Sequence, residues 1–93
     1  MRYTLKMEVS IPRNHMKRLR ETMRARGYPP AGSTLDEMSW SFSFKDSEFA
    51  INHARVMINI ARNVTKGMKR SGNVTVQDLL SPGQDGNMFQ EKI

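Results

Sequence analysis

The chain contains no cysteine, so neither a disulfide nor thiolate chemistry is open to it. It has no run of about 18 apolar residues, which leaves no candidate for a membrane-spanning helix. The opening MRYTLKMEVSIP lacks the apolar centre of a signal peptide, so a cytoplasmic location is expected. Catalytic groupings are missing as well. There is no nucleophile–base spacing, no glycine-rich phosphate loop and no cluster of metal ligands. His15 and His53 each stand alone, and a lone histidine is more often packed than catalytic. The expectation is a protein that is not an enzyme, with no cofactor, no metal and no small-molecule substrate.

Acidic residues are also in short supply. Asp and Glu total 9 against 15 Lys and Arg, giving a formal charge of +6 over 93 residues. That balance favours a polyanionic partner, such as nucleic acid, a ribonucleoprotein complex or an anionic membrane. No membrane is expected, because the sheet needs the long helix's apolar face. The charge is unevenly distributed. Residues 1–28 carry eight cations and two acids, and residues 55–72 carry five cations and no acid. The intervening and final segments are net acidic. A chain with 38% hydrophobic and 26% charged residues is globular in composition, and its length suits one domain with a modest core.

Tyr3, Leu5, Met7, Val9 and Ile11 alternate with Arg2, Thr4, Lys6, Glu8 and Ser10, the period of a half-buried strand. Pro12 closes that strand and suits the first turn of a helix running to about Arg26, with Asn14 as a second candidate cap. Gly27 followed by Tyr28, Pro29 and Pro30 stops it. A loop to Glu37 follows. Met38, Trp40, Phe42 and Phe44 then alternate with serines in a second strand, whose aromatic face is expected at the middle of the core.

A long helix is expected from Ser47 to about Arg70, capped by Asp46 or Ser47, with Gly67 and Gly72 as possible ends. Ala50, His53, Ala54, Met57, Ile60, Ala61, Val64 and Met68 share one face, widened by Ile51, Ile58 and Val56. Val74 and Val76 suggest a short third strand, with a helical turn from Thr75 to Leu80 as the alternative. Residues 84–93 read as a polar C-terminal tail outside a single domain spanning 1–83. The fold class expected is α+β: a small two-layer sandwich in the order β-α-β-α-(β), with one mainly antiparallel sheet and both helices on one face.

Two basic stripes are the strongest functional signal. On the first helix Arg13, Lys17, Arg20 and Arg24 fall within an arc of about 60°. Neighbouring like charges there cost about 0.2–0.5 kcal/mol per pair, and Glu21 is the only acid of that helix. On the long helix Arg55, Arg62, Lys66 and Lys69 lie opposite the apolar face. These eight residues are the candidate contacts to nucleic acid or partner, arginine's planar fork being suited to phosphates. Burial is the expected role of Trp40, Phe42 and Phe44, while Tyr3 and Tyr28 remain candidate exposed contacts.

The strand ending Ser10-Ile11-Pro12 and the helix that follows to Gly27-Tyr28 resemble the first half of ribbon-helix-helix DNA-binding proteins. That resemblance implies a dimeric transcriptional regulator whose outward strand residues, Thr4, Lys6 and Glu8, read the major groove. It covers about the first 28 residues and fails at Met38–Phe44, where that family needs a second helix. In size, strand–helix layout, lack of catalytic motifs and concentrated charge, the whole chain resembles small phage-encoded anti-CRISPR proteins. This second resemblance implies an inhibitor in the host cytoplasm that docks on a CRISPR surveillance ribonucleoprotein through its basic stripes. Docking there would obstruct target recognition.

Overall fold

The computed structural model describes residues 2–28, 32–33, 38–81 and 86–93, and among these the side chains of 32–33 and 38–42 are outside the described set. The elements are β1 (Tyr3–Ser10), α1 (Arg13–Ala25), β2 (Gly32–Ser33), β3 (Met38–Phe44), α2 (Ser47–Val64), β4 (Ser71–Asp78) and β5 (Asn87–Lys92). The strands form one antiparallel sheet in the order β2-β3-β1-β4-β5. This is the expected α+β sandwich, with two strands more than the alternation alone suggests.

β1 lies at the centre because it can pair on both edges, with Met7 opposite Trp40 on one side and Val74 on the other. Its alternation sorts the two faces. Leu5, Met7 and Val9 are fully buried beside Val74 and Val76 of β4. Thr4, Lys6 and Glu8 line the opposite, open face with Asn73, Thr75 and Gln77, where Lys6 and Glu8 pair at 2.9 Å. α2 packs across β4, β1 and β3, and α1 packs against α2. Met16, Leu19 and Met23 from α1 and Ala50, Ala54, Met57, Ile58, Ile60, Ala61 and Val64 from α2 complete the core. Val56 is 45% exposed, so the apolar face of α2 is narrower on that side than its sequence implies.

Asp46 caps α2, its Oδ1 accepting from Phe49 N–H at 3.1 Å, with Glu48 in the first turn. α2 ends at Val64 rather than near Arg70. Thr65 folds its Oγ1 back on the Ala61 carbonyl at 2.6 Å, and Gly67 then takes φ 79°, which turns the chain out of the helix. α1 begins after Pro12 with no side-chain cap, so Asn14 does not play the role its position suggests.

Residues 87–92 of the expected polar tail form a strand. Asn87–Lys92 pairs with β4 as the sheet's edge, with a register shift between Val76 and Gln77. Its polar sequence reflects that position: an edge strand over a wet face needs few apolar residues, and only Phe89 of the strand is half-buried. Phe44 is half-buried against the core, whereas Met38, Trp40 and Phe42, expected at its middle, have side chains outside the described residues. Most of the loop 29–37 also lies outside them, although Gly32 and Ser33 pair with Ser39 and Met38.

Arg2 and Asp78 clamp the far end of β1 to β4 in a two-bond ion pair, Nε to Oδ1 at 3.1 Å and Nη2 to Oδ2 at 2.9 Å. Asp78 also accepts from Leu80 N–H, and the Arg2 contact holds its carboxyl below the usual carboxylate range. A group with a lowered folded pKa contributes stability that is complete above its unfolded value and is lost as pH falls through the folded one. The melting temperature of the wild type should therefore fall more steeply than that of Asp78→Asn as pH is lowered from about 5 to about 2. Parallel melting curves for the two proteins over that range would show the pair contributing nothing.

Candidate nucleic-acid interface

The eight sequence candidates fall into two groups of different character. Arg13, Lys17, Arg20 and Arg24 all lie on α1, whose inward stripe of Met16, Leu19 and Met23 turns the helix's other sides to water. Arg13, Lys17 and Arg24 are exposed and Arg20 is half-buried. Arg13 and Arg20 also interact within the chain, whereas Lys17 and Arg24 make no ion pair among the described residues. Arg18 and Arg26 add two further exposed cations, against the single exposed acid Glu21. The first turn of α1 contains no acid, so the positive end of the helix dipole adds to the charge around Arg13.

The cations assigned to the long helix do not form a second stripe. Arg62 donates from Nη2 to the Lys92 carbonyl at 2.7 Å and approaches Glu91 Oε2 at 3.8 Å. Arg55 stands over the Phe89 ring, 5.8 Å from its centroid. Both side chains hold β5 against α2. Lys66 and Lys69 are exposed but lie beyond Val64, in the connection to β4, so they share no helical face with Arg55. The stripes do not sit side by side either. Val56, Asn59 and Asn63 of α2 line the groove against Thr22 and Arg26 of α1, and this uncharged strip precedes the side that carries Arg55 and Arg62.

This division of labour is testable. Arg62→Ala should speed amide exchange in Asn87–Lys92 and cost about 1 kcal/mol, a drop of about 4–8 °C in melting temperature. Lys66→Ala, an exposed cation without such contacts, should change neither. Equal exchange in all three proteins would remove Arg62 from the account of β5.

No family model, curated protein or solved structure matches the chain. Its own geometry therefore carries the argument. Both edges of β1 are occupied by strands of the same chain, which leaves no free edge for the intermolecular ribbon that the ribbon-helix-helix resemblance implies. Thr4, Lys6 and Glu8 do lie on the open face, with Lys6 neutralised by Glu8.

The histidines and tyrosines take packed positions. Nδ1 of His53 lies 2.8 Å from Tyr28 Oη, and its ring stacks on Phe44 at 5.3 Å with Phe49 edge-on at 4.5 Å. This cluster joins the end of α1 to the start of α2, and burial pushes the Tyr28 phenol above its ordinary pKa. Tyr3 and Tyr28, expected as exposed contacts, are both half-buried. His15 is half-buried in the first turn of α1. Among the described residues no group of three or more His, Cys, Asp or Glu is placed to hold a metal, and no helix is long and apolar enough to cross a membrane.

Arg70, expected near the end of the long helix, and Lys92, expected in the polar tail, line one hollow because α2 stops at Val64 and β5 joins the sheet.

Proposed function

We propose that this protein is a non-enzymatic binding protein that engages a nucleic acid or ribonucleoprotein through the exposed side of α1. The observation that carries this reading is the concentration of Arg13, Lys17, Arg18, Arg20 and Arg24 on one short helix with a single acid, extended by Arg26 at its C-cap. Folding buries Met16, Leu19 and Met23 of α1, while Lys17 and Arg24 make no ion pair among the described residues. Arg55 and Arg62 are withdrawn from the set because they hold β5, and Lys66 and Lys69 serve as outlying contacts. The more specific form is an inhibitor that docks on a CRISPR surveillance complex and obstructs target recognition. Its support is the resemblance in size, layout and charge to small phage-encoded inhibitors. The alternative, a DNA-binding regulator of ribbon-helix-helix type, retains the basic α1 but loses its dimer strand, since β1 is fully paired.

A pull-down from lysate, with and without nuclease, tests the reading. Recovery of a defined ribonucleoprotein that persists after nuclease treatment supports the inhibitor. Bulk DNA that disappears on nuclease treatment supports the regulator. Failure to retain any nucleic acid or nucleic-acid complex at low salt would overturn both.

A further inference from the structure

The α2–β4 connection and the end of β5 meet at one end of the sheet, where a recess of about 530 Å³ is lined by Arg70, Ser71, Gly72, Asn73, Lys92 and Ile93. A second hollow of about 290 Å³ adjoins it through Arg70 and Ser71, adding Ser10, Ile11, Pro12 and Lys69. Three cations thus line two adjoining hollows, Arg70 lining both. Among the described residues no side-chain carboxylate lines either part. The acids closest in sequence are engaged elsewhere, Glu91 beside Arg62 and Glu8 on Lys6.

Arg70 is the built part of this site. Its Nη1 donates to the Arg62 carbonyl at 3.1 Å and to Thr65 Oγ1 at 2.9 Å, and Thr65 is fully buried. Two bonds to one nitrogen fix the guanidinium plane at the C-terminus of α2. Nε and Nη2 donate to no described protein group. A guanidinium held at one corner, between hollows that Lys69 and Lys92 line, offers a planar two-point donor edge suited to a phosphate oxygen pair. Holding it in advance also reduces the side-chain entropy lost on binding.

We propose that this recess is a phosphate-binding site, with Arg70 as the oriented two-point donor and Lys69 and Lys92 as flanking charges. The proposal deepens the polyanion reading by giving the partner's phosphate a defined seat apart from α1. The phosphate belongs either to a nucleic-acid strand, terminal or internal, or to a small free anion.

The test is an NMR titration of the intact chain with inorganic phosphate, then with a short oligonucleotide bearing a 5′-phosphate or a 5′-hydroxyl. Phosphate should shift Arg70 Nε–H and the amides of Ser71 and Gly72. Lys69→Glu/Lys92→Glu should weaken that binding at least about tenfold, while Lys45→Glu, an exposed cation beside the Tyr3–Phe44 end of the sheet, should leave it within about twofold. Both variants keep Arg70 and its anchoring bonds, so loss of binding is separable from loss of fold by the unchanged amide spectrum elsewhere. Tighter binding of the 5′-phosphorylated oligonucleotide assigns a strand terminus. Equal binding of the two, with shifts at the recess, assigns a backbone phosphate, and shifts with inorganic phosphate alone assign a free anion. If the oligonucleotide shifts α1 while every anion leaves the recess unmoved, the site is overturned and the α1 reading stands. If the recess responds and α1 does not, the α1 reading fails instead. Equal weakening by Lys45→Glu and the double variant would reduce the site to general surface charge and overturn it.

Discussion

Gly72→Ala is expected to lower the melting temperature by roughly 10–25 °C, the equivalent of about 3 kcal/mol in a domain of this size. Gly72 adopts φ 143°, a conformation that L side chains rarely take. A Cβ at this position would also collide with the Glu8 carbonyl oxygen and come within 2.8 Å of Val9 Cα. Those atoms belong to β1, which is paired on both edges and has nowhere to move. The register places Gly72 opposite Val9, one step from the pair that begins β4, so relieving the collision means opening the β1–β4 ladder at that end. Gly67→Ala is the matched control. Gly67 also has a positive φ of 79°, but an added Cβ there meets nothing within 4 Å. It should cost only the backbone term, about 1–2 kcal/mol. Equal melting temperatures for the two variants would show that the contact with β1 is without consequence.

Replacing Arg13, Lys17, Arg20 and Arg24 together by Glu should abolish polyanion binding while leaving the core intact. None of the four is among the buried residues of α1. Each reversal removes two positive charges, which takes the protein from +6 to about −2. If those side chains make about four phosphate contacts, wild-type affinity should fall about a hundredfold between 50 and 200 mM salt. The quadruple variant should show neither the affinity nor the salt slope. The contrasting pair, Arg55→Ala and Arg62→Ala, should lose stability around β5 and keep most of the salt dependence. Retention of wild-type affinity by the α1 variant against every polyanionic partner would sink the α1 reading. The opposite result, binding lost only in the α2 pair, would return the interface to the long helix.

The contrast between those two helices shows what can be seen in a linear pattern. The α1 stripe was legible because its spacing and its lack of acids are local properties, and α1 is a helix over the whole stretch in which they occur. The α2 stripe was legible only as charge. Nothing in the spacing of Arg55 and Arg62 indicates that a strand some 30 residues later will supply Phe89 and the Lys92 carbonyl as partners. Lys66, Lys69 and Arg70 continue the helical spacing, but Thr65 and Gly67 end the helix before they are reached.

The sequence by itself determined the α+β class, the inward faces of β1, α1 and α2 and the positive surplus on α1, and it narrowed the α2 cap to Asp46 or Ser47. Each of these follows from periodicity or from contacts within a few residues. Only the tertiary structure decided that 87–92 is a strand, that β1 is central and closed on both edges, and that Arg70 lines one hollow with Lys92 and an adjoining one with Lys69. The physical reason is that an edge strand is specified chiefly by backbone hydrogen bonds to its neighbour. Those bonds leave almost no mark on side-chain composition.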